Sequence, residues 1–113
     1  MHELAITQSM FDIVLKYAEE AGAKKVMKIN LVIGEMTGVV GDSVQFYMDL
    51  LGKNTVAEGA IVALKSVPAQ AKCRDCGETF NVEEMQWTCP HCGSASLEIT
   101  AGKELFVESI EVE

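Results

Sequence analysis

An α/β fold is predicted, built as a small two-helix, three-stranded-sheet domain with an inserted four-cysteine zinc-knuckle domain. Three observations carry it. Apolar residues switch between the spacing of helices and the alternation of strands; a strand, a helix and a strand follow one another before residue 68; and all four cysteines lie in a sparsely apolar stretch between that unit and the last strand.

The first helix is expected from Thr7 to Ala21. Met10, Val14, Tyr17 and Ala21 form one helical row, Phe11, Leu15 and Ala18 widen it, and Gly22 supplies a stop. The period then changes: Met27, Ile29, Leu31 and Ile33 alternate with Lys28 and Asn30, as in a half-buried strand. Gly34 and Gly38 mark a loop before a second helix from about Ser43 to Leu51. There Asp42 and Gln45 have the spacing of a capping box, and Val44, Tyr47, Leu50 and Leu51 form the expected buried stripe. Gly52, Asn54 and Gly59 end that helix, and the β-branched run Ile61 to Val67 reads as a second strand. The last strand is expected over residues 104–112, completing the sheet, with Glu108 at an edge or solvated position because it interrupts the row of Phe106, Ile110 and Val112.

Between these strands, Pro68 to about Thr100 has too little apolar content for a core of its own, so a metal cross-link is the expected source of its order. The run CRDCGETFNVEEMQWTCPHC holds two C-x-x-C pairs separated by twelve residues. Cys73, Cys76, Cys89 and Cys92 can supply four thiolates to a tetrahedral structural Zn(II), a set complete without a histidine or a catalytic water. Gly77 and Gly93 follow the two pairs and allow the backbone to turn so that amides approach sulfur. Phe80, Val82 and Trp87 are expected to cover the knuckles, and His91 to stand beside the metal ligands or at the surface.

Composition bounds the function. The 113 residues are 49% hydrophobic and 23% charged, which fits a folded chain of modest size and excludes a large multidomain enzyme. A net charge of −8 disfavours nucleic acid and anionic membranes as partners. No run is long enough to span a bilayer, and Glu3 stands where a signal peptide would be basic, so the cytoplasm is the expected compartment; paired cysteines there point to a metal rather than to disulfides.

The chain begins Met1-His2-Glu3. The Met1 amine, the backbone nitrogens of His2 and Glu3, and His2 Nδ1 are donors within one short segment, a nitrogen-rich set that suits Ni(II) or Cu(II) better than tetrahedral zinc. On chemistry alone, an exposed terminal histidine is the commoner reading.

Met1-His2-Glu3, the helix with Ser9-Met10, the stretch Ile33-Gly34-Glu35, the two cysteine pairs and the glutamate-rich final strand together resemble the HypA/HybF family of hydrogenase maturation factors, along essentially the whole chain. The resemblance implies a nickel metallochaperone, not an enzyme. It implies an α/β nickel-binding domain of residues 1–67 and 101–113 and an inserted zinc-binding domain of residues 68–100. Ni(II) as transient cargo falls to Met1, His2 and Glu3, with His2 supplying the imidazole, and structural Zn(II) to Cys73, Cys76, Cys89 and Cys92. The partners it implies are a nickel-loading maturation GTPase and the precursor of the nickel-iron hydrogenase large subunit. Two rival readings remain: a zinc-ribbon protein-interaction module without a nickel function, and a dithiol enzyme.

Overall fold

The computed structural model describes residues 3–83 and 86–113. Its elements are α1 (Glu3–Glu20), β1 (Val26–Gly34), a short 3-10 turn (Glu35–Thr37), α2 (Gly41–Gly52), β2 (Ile61–Val67), β3 (Gln70–Cys73), β4 (Thr79–Asn81), β5 (Leu97–Ala101) and β6 (Leu105–Val112). They make two three-stranded sheets, ordered β2-β1-β6 and β4-β3-β5. In the first, β1 is parallel to β2, with α2 as the crossover, and antiparallel to β6. The second is antiparallel throughout and lies wholly between β2 and β6 in the chain. The result is a small α/β unit with an inserted four-cysteine unit, as the sequence predicts. No described helix is long and apolar enough to cross a membrane.

Helix α1 starts a full turn earlier than its periodicity indicates. Ile6 packs against the core and Thr7 is wholly buried, so the first turn belongs to the packed surface, and Glu3 in that turn favours the positive end of the helix. Met10, Phe11, Val14 and Ala18 are buried as expected, whereas Tyr17 is exposed, because burial follows a narrower stripe than the apolar row. Helix α2 buries Val44 and Met48 and leaves Leu50 exposed.

The capping box is not formed. The N-cap of α2 is Val40, without a side-chain bond to the helix, and Gln45 has another task. Its Nε2 donates to Asp49 Oδ1 at 2.8 Å and to Ala60 O at 3.3 Å, while its Oε1 accepts from Val62 N–H at 2.8 Å. A primary amide has the donor and acceptor of a peptide group, so Gln45 serves as a short piece of neighbouring strand at the start of β2.

Two bulges set the face of each residue in β1 and β6. Val26 pairs with Val112 and Lys28 with Glu111, leaving Met27 as an extra residue that turns outward; Val26 is buried in its place. Likewise Asn30 faces Ser109 and Leu31 faces Val107, leaving Glu108 unpaired. One extra residue reverses the alternation, so Val107 and Ile110 both reach the core although they are three apart. On the outer face, Asn30 Nδ2 donates to Ser109 Oγ and Glu111 Oε2, with Lys28 beside Glu111.

Candidate metal centre

The four cysteines converge: their sulfurs all lie within 4.8 Å of one another. Cys73 ends β3, Cys76 closes the turn after it, and Cys89 and Cys92 come from the loop before β5. Cys73 and Cys89 are buried, and Cys76 and Cys92 are exposed.

Each pair folds by the same rules. Gly77 N–H donates to Cys73 O at 2.9 Å, and Cys73 N–H to Glu78 O at 2.8 Å; in the second knuckle Gly93 N–H donates to Cys89 O and Cys89 N–H to Ser94 O, both at 2.8 Å. Closing this tight turn requires a left-handed residue after the second cysteine, and Gly77 and Gly93 have φ of 80° and 77°. The turns bring amides to sulfur. Cys76 N–H points at Cys73 Sγ (3.5 Å), and the N–H groups of His91 and Cys92 point at Cys89 Sγ (both 3.4 Å).

Two polar contacts the sequence reading missed join the knuckles. Ser94 Oγ donates to Asp75 Oδ2, and Arg74 N–H to Ser96 O at 3.0 Å. The available signal was the repeat itself, since Glu78 and Ser94 both stand five residues after the first cysteine of their pair. Phe80, Val82 and Trp87 are half-buried, and His91 has an exposed side chain.

Amides and crowding sort the protons among the sulfurs. The Cys76 amide, more than any other neighbour, lowers the Cys73 thiol to about 7, against the opposing effect of burial. At Cys76 the Glu78 amide favours the thiolate, but burial and the three other sulfurs outweigh it and push the thiol up to about 12. Cys92 is also raised: the Ser94 amide favours its thiolate, and the Cys73 sulfur together with burial works against it. Four acidic groups so close cannot all ionise unless a cation shares the space. A divalent ion held by four sulfurs supplies that charge, so the donor set suits a tetrahedral, thiolate-bound structural metal.

Of the terminal residues, Met1 and His2 lie outside the described residues, and Glu3 opens α1. The position of α1 follows from its neighbours. Its connection to β1 spans residues 21–25, where Lys24 N–H donates to Glu113 O at 2.9 Å, so the helix ends beside the end of β6. Eighteen helical residues and eight strand residues each cover about 27 Å. Packed along β6, α1 therefore returns Glu3 to the end of the sheet where β6 begins and the four-cysteine unit departs. Gly41, the first residue of α2, lies at this end as well, around a cavity it shares with Gly34 and Glu35.

Comparison with known proteins agrees with this architecture. Residues 1–112 match a family model described as "Hydrogenase/urease nickel incorporation, metallochaperone, hypA". A hydrogenase maturation factor HypA of Caldanaerobacter subterraneus is 48% identical, with full coverage of both chains; one of Dehalococcoides mccartyi is 47% identical, covering all of this chain and 95% of the relative. Among solved structures, the solution structure of the Ni metallochaperone HypA from Helicobacter pylori covers 99% of this chain and 97% of its own at a TM-score of 0.68 and 23% identity, a likeness of fold. The family is one of metallochaperones, not enzymes, which removes the dithiol-enzyme reading and favours a nickel function over a zinc-ribbon module without one. With two α/β layers, a four-sulfur cluster and sequence similarity along the whole length, this chain belongs to the HypA family of nickel metallochaperones.

Proposed function

We propose that this protein captures Ni(II) at its amino terminus and delivers it during maturation of nickel-iron hydrogenase, while Zn(II) bound by Cys73, Cys76, Cys89 and Cys92 holds the inserted unit in shape. On this reading residues 1–67 and 101–113 form the nickel-binding domain and residues 68–100 the zinc-binding domain. The observation that carries the division is the closed set of four sulfurs. Four thiolates complete a tetrahedral zinc shell and leave no open position for cargo that must be released. Cargo therefore needs other donors, and the Met1 amine, the His2 imidazole and the backbone nitrogens of His2 and Glu3 form a set suited to Ni(II).

The partners of this reading are a nickel-loading GTPase, met transiently, and the precursor of the hydrogenase large subunit, in the cytoplasm. His2→Ala tests it: in untagged, zinc-loaded protein, nickel affinity drops at least about tenfold while zinc content stays the same. An amino-terminal tag that blocks the Met1 amine has a similar effect with His2 intact. Unchanged nickel affinity in both proteins would put the cargo elsewhere.

A further inference from the structure

Two stretches of chain connect the units: residues 68–69 leave β2, and residues 102–104 lead back to β6. Short tethers alone leave the angle between two small units open. The returning stretch is tied to the end of β1 by backbone bonds, from Gly34 N–H to Glu104 O at 2.7 Å and from Met36 N–H to Gly102 O at 2.8 Å. The outgoing stretch is held by a side chain. Ala69 N–H donates to Glu35 Oε2 at 2.6 Å, a charge-assisted bond across 34 residues of sequence.

Ala69 belongs to both sides of the junction. It is 6% exposed, and its carbonyl accepts Val82 N–H, from the four-cysteine unit, at 2.8 Å. The three segments also touch backbone to backbone. A Cβ at Gly34 would run into the Gly102 carbonyl, and one at Gly102, where φ is 112°, would fall 2.8 Å from Ala69 Cα. The atoms at these close approaches are backbone atoms and the Ala69 Cβ, and the Glu104 carboxylate further fixes the returning stretch by accepting Gly102 N–H at 2.8 Å.

We propose that Glu35 is the positioning residue of a rigid joint, holding the four-cysteine unit at a fixed angle to the α/β unit through the Ala69 amide. The backbone bonds clamp one connection and the Glu35 carboxylate clamps the other. With both clamped, rotation about either is blocked. On the proposed nickel reading, the joint also fixes what stands near the end of the sheet where Glu3 opens α1; that consequence rests on the reading, and the joint itself does not.

The test uses the full-length, zinc-loaded chain without nickel, so its outcome is independent of where nickel binds. In the native protein, residual dipolar couplings from both units should fit one alignment tensor at the angle between the two sheets of this structure. Glu35→Ala should leave zinc content and core amide protection of the α/β unit intact, speed exchange of the Ala69 amide about tenfold or more, and separate the couplings of residues 70–101 from the common tensor. Glu35→Gln retains an uncharged acceptor, so it should restore the common tensor with Ala69 exchange between the other two. A Glu35→Ala protein that keeps the common tensor and the native angle overturns the proposal, as does unchanged Ala69 exchange in Glu35→Gln.

Discussion

The two units of this chain are ordered by different chemistry. The α/β unit has a continuous apolar core drawn from both helices and all three of its strands, with Val14, Val26, Ile29, Leu31 and Val44 almost wholly enclosed. Among the described residues of the four-cysteine unit the buried apolar ones are small: Ala69, Ala71, Cys73 and Cys89. Its larger side chains among the described residues, Phe80, Val82, Trp87, Leu97 and Ile99, are half-buried. At about 25 cal/mol for each Å² of apolar surface removed from water, such partial burial cannot offset the ordering of some thirty residues. One unit folds around hydrocarbon, and the other brings together four sulfurs suited to a structural metal.

The largest effect should come from removing that metal. Chelation, or Cys73→Ser, should abolish amide protection across residues 70–101 while α1, β1, β2 and β6 keep theirs, since binding of a structural zinc ion contributes on the order of 10 kcal/mol. Hydrogen exchange resolves the two units separately, and joint loss of protection would refute their independence. Acid acts in the same direction. The thiols raised at Cys76 and Cys92 must lose protons to bind metal, so affinity falls as pH falls, and the loss steepens near the Cys73 value of about 7 as a further proton competes. Competition with a chromophoric chelator across that range measures the slope; a flat profile would contradict thiolate ligation.

The converse perturbation is smaller. Leu31→Ala should destabilise the α/β unit by about 2–5 kcal/mol, read by denaturant titration, with metal stoichiometry unchanged. Smaller again is Gln45→Ala, which removes two hydrogen bonds joining α2 to Ala60 and Val62 at the start of β2, and one to Asp49 within α2, and should cost about 1–2 kcal/mol. Asp42→Ala, at the position expected to cap α2, should change stability by less than about 0.5 kcal/mol because its side chain forms no cap. If the order of these two were reversed, the capping box would be restored and the strand-mimicking amide rejected.

What was legible in the sequence follows the same boundary. The cysteine spacing revealed the four-sulfur cluster because a tetrahedral ion tolerates few ligand arrangements. The helices and the strands of the α/β unit were legible from periodicity, since one face of each meets hydrocarbon. The bulges at Met27 and Glu108 were not, although the exposed edge position of Glu108 was, because a bulge is a property of two strands in register, and neither strand alone reveals it. Gln45 differs from its expected role for a related reason: capping spacing is local, while two of its three partners lie fifteen and seventeen residues away. The strands β3, β4 and β5 escaped notice because they are three to five residues long and bury little. Glu35 gave no local signal, as its role depends on where the chain returns after 34 residues.

On the proposed reading two metals occupy two chemically distinct sites, zinc among the sulfurs and nickel at the terminus. Nickel titration of the untagged, zinc-loaded protein, with the His2 ring followed by NMR and zinc by elemental analysis, tests it most directly. The His2 ring resonances should broaden or shift with the first equivalent of nickel while zinc remains bound. Nickel that displaces zinc, or that binds with the His2 ring unperturbed, would contradict it.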